Sequence, residues 1–62
     1  MPDVSLERQI ACVEREIKMR ARVYPRWVEA KRITQANADA EIRAMEAVLE
    51  TLRKLQMQVQ PS

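Results

Sequence analysis

The chain has 62 residues, with 11 Lys and Arg against 9 Asp and Glu for a net charge of +2, one Cys, and neither His, Gly nor Phe. That length allows one small domain, which removes only about 60% of its unfolded surface from water on folding. Without histidine an ordinary zinc site lacks ligands, without glycine there is no phosphate-cradling loop or dinucleotide fingerprint, and the lone Cys12 cannot close an intrachain disulfide and suits a reducing compartment.

Strong helix formers dominate the composition, no run alternates apolar and polar residues with period two, and no Asn-Gly or Asp-Gly turn occurs. The fold class is therefore all-α. The first apolar stripe reads Leu6, Ile10, Val13, Ile17, Ala21, Tyr24, Trp27 and Val28, which is one face of a helix at near-heptad spacing. Ser5 or Asp3 can cap its start, and Glu7 lies in the first turn, where the helix dipole favours an acid. Cys12 reads as a small, partly buried side chain.

Pro25 interrupts this helix. It has no N–H and its ring clashes with the carbonyl of Ala21, a cost of about 3 kcal/mol in an ideal helix. The stripe nevertheless continues in phase beyond it. The expectation is a helix over about residues 4–31 kinked at Pro25, with a full break near Tyr24 and a short extra helix from Arg26 to Lys31 as the alternative.

A turn over residues 32–34 follows, with Thr34 as N-cap of a second helix over about residues 35–58. Its stripe is Ala38, Ile42, Met45, Leu49, Leu52, Leu55 and Val59. The short connection makes an antiparallel two-helix hairpin. The ends, 1–3 and 59–62, are expected to fray.

Two helices cannot enclose a core, so each stripe keeps a wet flank. Small residues such as Ala40, Ala44 and Ala47 let backbones approach closely. We therefore expect a homodimer or higher oligomer forming a helical bundle, with Leu6, Ile10, Val13, Ile17, Ala40, Ala44, Met45, Leu49 and Leu52 in the interface between copies.

Between Lys18 and Arg32 lie six of the basic residues, one acid (Glu29) and both aromatic residues. Arginine presents a planar fork of donors that fits phosphate, and rings stack on bases or anchor protein contacts. Arg20, Arg22, Tyr24, Arg26, Trp27, Lys31 and Arg32 are accordingly the candidate binding elbow. Its structural reading is that Tyr24 and Trp27 plug the bundle end and the cations are solvated or paired with Glu29, Asp39 and Glu41. No catalytic constellation is present: the serines stand near the ends without partners, and Glu14, Glu16, Glu46 and Glu50 are spaced as surface charges. The chain reads as a non-enzyme without a cofactor or metal.

The run Arg22–Val23–Tyr24–Pro25–Arg26–Trp27–Val28, followed by Ile33–Thr34 and by Ala38, Glu41, Ile42, Met45, Ala47, Val48, Leu49 and Leu52, resembles a group of small proteins encoded in bacteriophages and prophages. The resemblance extends from about Ile10 to Leu52. Many related sequences carry Gly before the Arg of the turn, where Lys31 stands in this chain. What the resemblance implies is a setting: an accessory viral protein in the cytoplasm of a host bacterium.

The leading expectation is stoichiometric binding of a host or defence target through the elbow, either a host protein or an anionic nucleotide signal such as a cyclic nucleotide. A small nucleic-acid-binding regulator is less favoured because the net charge is low. An adaptor of virion assembly is the structural alternative. No apolar run approaches the ~18 residues that span a bilayer.

Overall fold

The computed structural model describes residues 3–59, and they form two α-helices: α1, Leu6–Glu29, and α2, Gln35–Val59. The helices pack against each other as a hairpin, and there is no strand among the described residues. Fraying expected at 1–2 and 60–62 lies outside the described residues.

The helix boundaries have local chemical causes. Ser5 is the N-cap of α1, extended at φ −64° and ψ 157°, and its side-chain oxygen accepts from the Arg8 N–H at 3.1 Å. The helix therefore starts two residues later than the expected residue 4. Thr34 caps α2 in the same way, accepting from the Asn37 N–H at 3.1 Å. Each bond satisfies one of the orphan donors in a first helical turn.

The α1 helix runs unbroken through Pro25. The missing N–H leaves the Ala21 carbonyl without its helical donor, but Ala21 and Pro25 are both exposed. Water can serve that carbonyl, which lessens the cost of proline inside a helix. Tyr24 stays helical although the residue before proline avoids that region. Its ring is 7% exposed, so burial of a large side chain opposes the local preference.

The end of α1 is set by the backbone rather than by a glycine. Arg32 N–H donates to the Trp27 carbonyl at 2.8 Å and Lys31 N–H to the Val28 carbonyl at 3.0 Å, the paired bonds of a Schellman motif. The motif needs a left-handed residue after the cap, and Lys31 supplies it at φ 61°. The helix consequently stops at Glu29, and the turn covers residues 30–34 rather than 32–34.

The interior is thin. Ile10, Tyr24 and Ala38 are the buried apolar residues, while Leu6, Val13, Ile17, Ile42, Met45, Leu49 and Leu52 are half-buried along the seam. The molecule measures 46 × 19 × 18 Å with a radius of gyration of 14.4 Å, against roughly 10.6 Å for a compact domain of this length. It exposes 5310 Å², about 1,100 Å² more than a typical folded monomer of its mass. A rod two helices thick must show such an excess.

A non-glycine residue in the left-handed region is strained by about 1–2 kcal/mol. Lys31→Gly should stabilise the hairpin by roughly 0.5–1 kcal/mol, the greater freedom of glycine in the unfolded chain offsetting part of the gain. Urea melts followed by circular dichroism should show a higher midpoint; an unchanged or lower one contradicts the assignment of strain to this position.

Candidate functional site

Projected at about 100° per residue, the residues of the proposed elbow separate onto different surfaces. Arg22 and Arg26 lie on the outer face of α1, opposite the seam marked by Ile10 and Tyr24, and both are exposed. Trp27, 41% exposed, lies on a flank, displaced from Arg22 by about 140° around the helix. Tyr24 is buried beside it, with ring centroids 5.5 Å apart and planes inclined at 47°. Lys31 and Arg32 sit at the tip, around a hollow of about 350 Å³ also lined by Val28 and Thr34.

Arg20 belongs to the ring-bearing flank and is held there by its own chain. Its Nε bonds Glu16 Oε1 at 3.2 Å, one terminal nitrogen lies 3.6 Å from Glu41 Oε1, and the same nitrogen is 3.5 Å from the Tyr24 hydroxyl. The guanidinium pKa is held above its ordinary value, first by the hydrogen bond it donates to Glu16; partial desolvation opposes this, and Tyr24 adds to the raising. Arg20 therefore ties α1 to α2 instead of standing free for a ligand.

The hollow beside Trp27, about 270 Å³, is lined by Glu16, Met19, Arg20, Tyr24, Trp27 and Glu41. A phosphate entering it would meet two carboxylates whose attraction is already directed at Arg20. Ring stacking and free cationic charge, which the sequence places in one stretch, are thus on separate sides of the helix.

The cations left unpaired form a longer pattern than the elbow. The ion pairs among the described residues are Arg20 with Glu16 and Glu41, Arg53 with Glu14, and Lys54 with Glu50. None involves Arg8, Arg15, Lys18, Arg22 or Arg26, all exposed on the outer face of α1. Arg8 and Arg15 lie outside the dense basic stretch of residues 18–32, and the seven-residue spacing Arg8–Arg15–Arg22 is the sequence signal that puts them on the same face.

The surface expected between copies is also redistributed. Ile10 is buried, and Leu6, Val13, Ile17, Met45, Leu49 and Leu52 are half-buried at the seam within the hairpin, whereas Ala40 and Ala44 are exposed. Exposed with them on that flank of α2 are Asn37, Val48, Thr51 and Leu55, Val48 being 46% and Leu55 43% accessible. Glu41 is the one charge interrupting this flank, and it is turned to Arg20. Near the open end the flank deepens into a groove of about 870 Å³ lined by Gln9, Cys12, Val13, Val48 and Leu52 together with Arg8 and Arg15. Cys12 is exposed there, which corrects its expected partial burial: it projects about 160° around α1 from Ile10, away from the seam.

No group of His, Cys, Asp and Glu able to hold a metal ion occurs among the described residues, and no helix among them is long and apolar enough to cross a membrane. No protein-family model, curated protein or solved structure matches the chain.

The separation of tied from free arginines can be measured. Arg20→Ala should lower the denaturant midpoint of the hairpin, because it removes the contacts to Glu16 and Glu41, whereas Arg22→Ala and Arg26→Ala should leave it close to that of the parent. Equal losses in denaturant melts of all three variants would contradict the division.

Proposed function

We propose that this chain is a non-enzymatic, homo-oligomeric binding protein: copies associate through the uncharged flank, and the outer face of α1, with the tip, engages an anionic partner. The observation that carries this reading is the set of exposed cations that make no ion pair among the described residues, Arg22, Arg26, Lys31 and Arg32 among them, on a molecule whose Arg20 is committed to carboxylates.

Self-association is supported by energetics. The surplus of about 1,100 Å² per chain, if covered on two copies, amounts to roughly 2,200 Å², the size of obligate homodimer interfaces. Val48 and Leu55 supply apolar area, while Ala40 and Ala44 permit close approach of helices. Trp27 stands along the same side of the hairpin and serves the contact between copies better than it serves a phosphate-bearing ligand. A bend at Pro25, where the helical bond to Ala21 is lost, would splay the tip and set the angle at which Lys31 and Arg32 meet the partner.

The resemblance to bacteriophage and prophage proteins provides the setting, a small viral product acting by stoichiometric binding inside a bacterium. The distribution of charge favours a partner larger than a single cyclic nucleotide, because the free cations are spread along the helix and the aromatic hollow carries carboxylates.

A charge in the uncharged flank should break the assembly. Val48→Glu, at a position already exposed in the single hairpin, should leave helicity largely intact and shift the sedimentation coefficient to that of a monomer at micromolar concentration. A parent protein that sediments as a folded monomer, or a variant that assembles like the parent, would overturn the oligomeric part. For the binding part, capture from phage-infected cells should lose its partner with Arg22→Glu/Arg26→Glu; retention of the same partner by this variant counts against the outer face.

A further inference from the structure

We propose that the outer face of α1 is a rail for the phosphate backbone of duplex nucleic acid. The inference rests on the binding function just proposed and names its anionic partner. Arg8, Arg15, Lys18, Arg22 and Arg26 are all exposed and project within a sector of about 80° centred away from the seam, Arg8 and Arg15 also lining the groove shared with Val48 and Leu52 of α2. From Arg8 to Arg26 the row is about 27 Å long at 1.5 Å per residue, the length of roughly eight base pairs. Glu29, near the tip, is the one acid inside this sector, and Glu7 stands just outside its edge.

Three features select this partner. The row is far longer than a small nucleotide, which could engage one or two of its cations. It holds four arginines to one lysine, and the arginine fork matches phosphate oxygens in a way a point charge does not. It also lacks any aromatic residue, since Tyr24 and Trp27 lie toward the seam and flank. A single strand would be held by stacked bases, and the row offers no ring for them. A row of five cations suits a duplex read through its backbone, with affinity from counterion release and no sequence preference.

The test uses the full chain and fluorescence anisotropy of a labelled mixed-sequence DNA duplex longer than the row. Binding should weaken steeply with salt, the logarithmic slope being about −0.9 for each phosphate neutralised, so about −3 to −5 in total. Arg15→Gln/Lys18→Gln/Arg22→Gln should lose at least tenfold in affinity, with a slope shallower by about 1 per cation removed. Arg43→Gln/Lys54→Gln on α2 should bind as the parent, and circular dichroism should show both variants helical. A duplex of shuffled sequence should bind equally well.

Polyglutamate and an oligonucleotide single strand are the competing probes. Polyglutamate bound as tightly as the duplex, or a single strand bound more tightly with quenching of Trp27, would overturn the duplex assignment while leaving an anion-binding face in place. Failure of every polyanion to bind would remove both. A triple variant that binds the duplex like the parent, or binding insensitive to salt, would overturn the rail.

Discussion

Everything in this molecule follows from a shortage of sides. A helix packed against one other helix can bury one stripe, and two helices cannot surround anything. Ile10, Tyr24 and Ala38 are covered, and the remaining seam residues keep part of their surface in water. The apolar area removed from water is correspondingly small, and hydrophobic burial is the main favourable term in folding. The hairpin must therefore draw on caps, ion pairs and, as proposed, further copies of itself.

The same geometry divides the charge. Helix-to-helix ion pairs can form only at the margins of the seam, where side chains of the two helices reach each other. Arg20 and Glu41 meet at one margin, Arg53 and Glu14 at the other. Cations on the far side of α1 have no acid of α2 within reach, whatever the overall composition. A low net charge thus coexists with a strongly cationic face. Ala40 and Ala44 lie on a different side of the rod from Lys18, Arg22 and Arg26, whereas Arg8 and Arg15 share a groove with Val48 and Leu52.

Local backbone preferences are overridden at two places near the tip. Pro25 lies inside a helix, and Lys31 adopts a left-handed conformation that glycine would take without strain. Both are tolerated because neighbouring interactions specify the path: burial of Tyr24 before the proline, and the two carbonyl-directed bonds of the Schellman motif at the turn. The sharp turn is what brings Thr34 into position to cap α2 and lets the helices run back along each other.

Much of this architecture was legible in the amino-acid order. The spacing of Leu6, Ile10, Val13 and Ile17, and of Ala38, Ile42, Met45 and Leu49, specifies helices, because apolar residues recurring every three to four positions share one helical face. Thr34 was readable as a cap because a side-chain acceptor before a helix has one obvious donor to meet. The basic and aromatic stretch of residues 18–32 was legible as composition but not as a surface. Neighbours in sequence point in different directions around a helix, so Arg22 and Arg26 share the outer face while Trp27, next along the chain, faces a flank. Which arginine is tied depended on α2 lying beside Arg20, and that Ala40 and Ala44 look outward while Leu49 looks inward depended on the rotation of each helix about its axis. Helical periodicity is a local property of the chain; the pairing of faces and charges is settled only when the two rods come together.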